Sequence, residues 1–114
     1  MEHSMYPAPS KELAQKRKDL APDIYAAFQS FSQRVFADGV LPSKTKELIA
    51  VAVAHVTQCP YCIRSHTKRA VLKGATGQEI MEAIWIAAEM RAGAASAHSA
   101  LAIDAMNQET KPNV

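Results

Sequence analysis

Residues 47–66 read ELIAVAVAHVTQCPYCIRSH, an apolar run that ends in a Cys-x-x-Cys and a histidine. Leu48, Ile49, Val51, Val53 and Val56, with Ala50, Ala52 and Ala54 between them, cover all sides of a helix predicted over Thr45 to Thr57. A helix apolar all round must be buried all round, and in so small a chain that usually takes a second subunit. Gln58-Cys59-Pro60 ends this helix and starts another. Cys59 falls at or near its N-cap, and Pro60 takes the first helical position, where a missing N–H costs nothing. The new helix is expected to run to about Lys73, with Gly74 closing it.

Working outward, almost nothing reads as strand. On the N-terminal side, Pro22 is suited to open a helix, and Ile24, Ala27, Phe28, Phe31 and Val35 recur at helical spacing towards a stop at Gly39. Pro42 and Ser43 suggest a turn with Ser43 as N-cap, which puts Lys46 or Glu47 in the capping-box region. On the C-terminal side, Thr76 is expected to cap a helix that begins near Gln78 and reaches about Asn107. It carries Ile80, Ile84, Ala87 and Ala88 on one face, flanked by Met81 and Trp85. Alanine is dense from Ala83 to Ala105, and Gly93 in its midst predicts a kink or break. The fold class is therefore all-α: an oligomeric helical bundle, one domain over residues 1–114, with residues 1–10 an extended arm containing Pro7 and Pro9.

The 114 residues, 48% hydrophobic and 21% charged, are enough for one modest core and too apolar for a disordered chain. A net charge of +2 gives no reason to expect nucleic acid or an anionic membrane as partner. Lys16-Arg17-Lys18 is offset by Glu12 and Asp19 and reads as a solvated helix face. The longest apolar run, Leu48 to Ala54, is far short of the ~20 residues of a membrane span. Met1 to Ser10 lacks the apolar segment of a signal peptide. A cytoplasmic protein is the expectation, and there an isolated Cys-x-x-Cys reads as catalytic or metal-binding, not as a structural bridge.

Cys59 and Cys62 are the only cysteines. Reaction at sulfur needs the thiolate. A helix N-terminus favours negative charge, but at exposed sites by less than one pKa unit, so a partner is required. His66, four residues after Cys62, shares its helix face, with Cβ atoms roughly 6 Å apart. It is a candidate to accept the thiol proton. Glu47 is the candidate to orient His66. In an antiparallel hairpin of the two helices both residues lie about 10–15 Å back from the turn, at ~1.5 Å per residue, and meet directly or through one water. Nucleophile, base and orienting carboxylate follow the logic of a triad.

Plainer readings stand beside this one. His66 could be a surface histidine, and Glu47 a first-turn carboxylate favoured by the helix dipole. His55, Cys59, Cys62 and His66 are four residues of zinc-ligating type, which would make a metal-binding or redox-sensing scaffold. His98, among alanines, reads as a packing or interface residue, and His3 in the arm carries no signal. Cys59-Pro60-Tyr61-Cys62 also matches the glutaredoxin active site, but that family leads into its motif with a strand where this chain has an apolar helix.

The spacing of Glu47, Cys59, Cys62 and His66, E-x11-C-x2-C-x3-H, resembles the active-site signature of the alkylhydroperoxidase D-like family, within the carboxymuconolactone decarboxylase superfamily. The likeness extends over roughly Leu41 to Ala105. It implies an all-helical subunit assembled into homo-trimers or homo-hexamers, with thiol-dependent peroxidase activity. Neither cofactor nor metal is expected. In that scheme Cys62 attacks a hydroperoxide and becomes a sulfenic acid. Cys59 then resolves it to a disulfide, a dithiol donor reduces the disulfide, and Glu47 and His66 relay protons. In the best-known members the donor is a lipoylated protein. Those peroxidases often carry a histidine between the cysteines where this chain has Tyr61, whose phenol, with pKa ~10, is a poor base near neutrality. Dithiol chemistry needs only the two sulfurs and one base. The carboxymuconolactone decarboxylases share the fold without relying on such a pair, which makes decarboxylation the lower-ranked activity.

Overall fold

The computed structural model describes residues 5–110. Among them are five helices and no strand: α1 Lys11–Leu20, α2 Pro22–Phe36, α3 Ser43–Thr57, α4 Pro60–Leu72 and α5 Gly77–Thr110. The all-α class follows from the sequence periodicity. The chain divides into two compact units, Met1–Lys46 and Glu47–Val114. Residues 5–10 carry no regular secondary structure. The rest of the expected arm, with His3, lies outside the described residues. No helix is long and apolar enough to cross a membrane among the described residues.

In the first unit, the Ser10 hydroxyl caps α1 by accepting the Leu13 N–H at 3.1 Å. Every residue of α1, the basic run included, is exposed. The Arg17 guanidinium stands 5.8 Å from the centre of the Tyr25 ring, and α1 and α2 pack on each other. Pro22 opens α2 as its spacing predicts. Ile24, Phe28, Phe31 and Val35 form an apolar stripe along α2 and remain exposed. α2 ends at Phe36, because Ala37 turns to extended backbone before Gly39 is reached. Ser43 is the first residue of α3 and not its cap: its N–H donates to the Asp38 carboxylate at 2.7 Å. A carboxylate satisfies that donor and also suits the positive end of the helix.

The second unit holds the core. Val51, Ala70, Ala75 and Ile80 are buried together, with Leu48 and Ile84 packed against them. Val51 of α3 and Ala70 of α4 are both fully inaccessible within this cluster. The buried residues of α5 are Ile80, Ala83 and Ala87, a helical stripe. Ala88, expected on that face, is exposed, as are Trp85 and Met81. Thr76 and Glu79 form a reciprocal capping box. The Glu79 N–H donates to Thr76 Oγ1 at 3.1 Å and the Thr76 N–H donates to Glu79 Oε1 at 2.9 Å.

Within this chain α3 turns one face to the core and leaves Ile49, Val53 and Val56 48%, 52% and 42% exposed, the apolar surface that a second subunit is expected to cover. The expected break at Gly93 does not occur, since α5 is continuous over 34 residues. A glycine inside a helix costs only about 1 kcal/mol relative to alanine, and the alanines around it are the best helix formers. After Ala87, α5 contributes no buried residue.

The joint between α3 and α4 is short and specific. The Cys59 N–H donates to the Ala54 carbonyl at 3.2 Å, and Gln58 adopts φ 57°. That pairing of a left-handed residue with a bond reaching five residues back is a Schellman close of α3. α4 closes in the same way: the Ala75 N–H bonds the Ala70 carbonyl at 2.9 Å across Gly74, whose φ of 94° favours glycine.

Candidate active site

Cys59 ends one helix and begins the next. Its backbone N–H closes α3, and its sulfur accepts the Cys62 N–H at 3.4 Å as the N-cap of α4. Pro60 occupies the first turn, as the sequence pattern indicates. Both cysteines are free thiols and half-buried.

The sulfurs are unequal. The Cys59 thiol is held below the ordinary cysteine value, first by the Cys62 side chain hydrogen-bonded to it, then by the Cys62 N–H, with a further contribution from the Tyr61 N–H. The Cys62 thiol is pushed up, first by the same contact with Cys59, then by burial and by repulsion from the Cys59 charge. The Cys62 S–H is thus the donor and the Cys59 sulfur the acceptor. The helix start stabilises charge on Cys59 in the same sense. The two groups titrate as a pair. Above the lower step the pair holds one proton, on Cys62.

Glu47 and His66 meet directly. His66 Nδ1 lies 2.7 Å from Glu47 Oε1, and the Glu47 side chain is only 3% exposed. The hairpin of α3 and α4 therefore brings the two together as the spacing predicts. Toward a carboxylate the ring nitrogen acts as donor, which leaves Nε2 as the basic nitrogen of the neutral imidazole. A hydrogen bond to a charged group contributes on the order of 1.5–3 kcal/mol, so the contact serves packing as well as orientation.

His55 has a different partner: its Nδ1 lies 2.7 Å from the Val51 carbonyl, one turn back on α3. Among the described residues no three His, Cys, Asp or Glu side chains gather as a metal-ligating group. His98 is exposed on α5. Two features were not read from the sequence. One is the left-handed Gln58. The other is Arg91, whose Nη1 donates to the Val56 carbonyl at 2.8 Å; a single cation in an alanine-rich helix gives no local signal of a partner 35 residues away.

The model of the carboxymuconolactone decarboxylase family matches residues 22–105. The "Uncharacterized protein 4 in cox locus" of Paracoccus denitrificans is 61% identical over 82 residues, covering 72% of this chain and 74% of its own. Among solved structures, an apo carboxymuconolactone decarboxylase family protein of Legionella pneumophila is 38% identical, with a TM-score of 0.65 and 88% of each chain covered. A Thermotoga maritima protein of that family, for which a part in an antioxidative response has been suggested, is 40% identical, with a TM-score of 0.53 over 55% of this chain and 65% of its own.

The unequal pair makes a prediction about titration. The ultraviolet absorbance of thiolate in the reduced protein should rise in two separated steps, one below and one above the value of an ordinary cysteine. Cys62→Ala removes the S–H donor, so the lower step should move upward. A single step at the ordinary value in both proteins contradicts the unequal assignment.

Proposed function

The chain belongs to the carboxymuconolactone decarboxylase family, and from that premise we propose that it is a thiol-dependent peroxidase of the alkylhydroperoxidase D-like kind. The observation that carries this reading is the 2.7 Å contact between Glu47 and His66, one helical turn beyond a cysteine pair with unequal acidities. A carboxylate that orients an imidazole beside a thiol is the arrangement that activates sulfur nucleophiles.

The chemistry proceeds in three steps. Cys62, the sulfur that holds its proton at rest, needs a base. His66 takes that proton and Glu47 stabilises the imidazolium. The Cys62 thiolate attacks the terminal oxygen of a hydroperoxide: an S–O bond forms, the O–O bond breaks, and the leaving alkoxide takes the proton from His66. The Cys59 thiolate then attacks the sulfenic sulfur, forming the disulfide and releasing hydroxide, which leaves as water after protonation. An external dithiol, of the class found on lipoylated proteins, reduces the disulfide through a mixed disulfide and returns both thiols. The suggested antioxidative role of the Thermotoga maritima relative agrees with this chemistry.

The exposed apolar faces support a homo-oligomer. Phe28 and Phe31 on α2, and Leu101, Ile103 and Met106 on α5, are all more than half exposed, and large apolar side chains left open in this number mark association sites. A trimer or hexamer covers them.

Steady-state peroxide turnover with dihydrolipoamide as donor tests the chemistry. Cys62→Ser should abolish turnover. Cys59→Ser should give a single turnover that stops at a sulfenic acid, trapped by dimedone on Cys62. His66→Asn and Glu47→Gln should each lower kcat by about 10²–10⁴. Wild-type turnover in both cysteine variants contradicts the reading, and a sulfenic acid on Cys59 in the Cys62→Ser protein reverses the order of attack. Sedimentation velocity tests the assembly: a trimer or hexamer is expected, and a monomer at micromolar concentration contradicts it.

A further inference from the structure

The last turn of α3 exposes carbonyls that the helix itself cannot satisfy. Ala54 O is taken by the Cys59 N–H in the Schellman close, with Thr57 Oγ1 also donating to it. Val56 O is taken from outside, by Arg91 of α5 at 2.8 Å. Arg91 is the only lysine or arginine in α5, whose other charged residues are Glu79, Glu82, Glu89, Asp104 and Glu109. A guanidinium at a helix C-terminus meets the negative end of the dipole and makes a charge-assisted bond.

Just beyond Val56 lies the strained part of the joint. Gln58, two residues on, is left-handed, a conformation disfavoured for a residue with a Cβ. It persists only while the turn around it is held. If Gln58 relaxes, the Cys59 N–H leaves Ala54 O, the Cys59 backbone rotates, and its sulfur no longer lies over the Cys62 N–H. The N-cap contact at 3.4 Å and the geometry of the sulfur pair are then both lost.

We propose that Arg91 is a positioning residue for the dithiol: by holding the Val56 carbonyl it keeps the α3 exit closed and the Cys59 sulfur seated as the cap of α4. The inference rests on reading Cys59 and Cys62 as the reactive pair. Arg91 touches neither peroxide nor donor in this scheme and acts through the backbone it anchors.

The test is a thiolate titration of the reduced full-length protein, which needs no peroxide and so is independent of turnover. Arg91→Met should raise the lower step by about 0.5 pH unit or more, roughly threefold less thiolate on the slope of the transition, with the helical circular dichroism unchanged. Arg91→Lys, which can still donate to the carbonyl, should recover at least half of the shift. Ionic strength separates anchoring from charge: the shift in Arg91→Met should persist in high salt, which screens a through-space charge effect and not a lost backbone anchor; a shift that salt abolishes would overturn the positioning role. A wild-type lower step in Arg91→Met also overturns it. Should Arg91→Met lose its helical signal, Arg91→Gln, too short to reach the carbonyl, is read by the same criteria. Normal titration with no peroxide turnover in the wild type would count against the proposed function alone.

Discussion

Cys59 belongs to two helices, and the site depends on that double membership. Its N–H completes the hydrogen bonding of α3, while its sulfur accepts an N–H from the first turn of α4. A residue with both duties has little freedom to move: displacing the backbone frays one helix, and rotating the side chain uncaps the other. The same constraint creates chemical asymmetry. The capping sulfur sees amide hydrogens and the positive end of α4, whereas Cys62, inside the first turn, supplies a proton to its neighbour. Two identical side chains three residues apart thus become an acid and its partner.

A second contact fixes how the two helices lie together. A carboxylate as buried as Glu47 is costly without a partner, and His66 supplies one. That bond runs from the start of α3 to the middle of α4, so it and the Cys59 joint constrain the hairpin at both ends. Val51 of α3 and Ala70 of α4, neither with accessible surface, belong to the one apolar core cluster. The Glu47 contact holds the His66 ring in one orientation and one tautomer, which suits the role of base proposed for it. α5 completes the core with Ile80, Ala83 and Ala87, and its later turns present apolar and small side chains outward.

The parts of this arrangement that were legible in the sequence are those set by local spacing. The hairpin helices, the proline at the first turn of α4, the Thr76 cap and the meeting of Glu47 with His66 all follow from residues within a turn or two of one another, or from the symmetry of a hairpin. The parts that were not legible depended on competition or on distance. Ser43 is a good N-cap, but an aspartate five residues upstream takes its N–H instead. Gly93 is a helix breaker by type, yet its flanking alanines outweigh it. Arg91 reaches Val56 only because α5 passes the exit of α3, and no periodicity encodes that meeting.

Membership of the carboxymuconolactone decarboxylase family accounts for the helical frame, and the cysteine pair with its histidine and carboxylate carries the reaction proposed for it. The most direct measurement is a thiol count by mass spectrometry after one equivalent of an alkyl hydroperoxide is added to the reduced protein. The account predicts that both thiols disappear together, yielding a Cys59–Cys62 disulfide that dihydrolipoamide reverses. Two free thiols persisting with the peroxide unconsumed, or oxidation without a link between the two sulfurs, would contradict it.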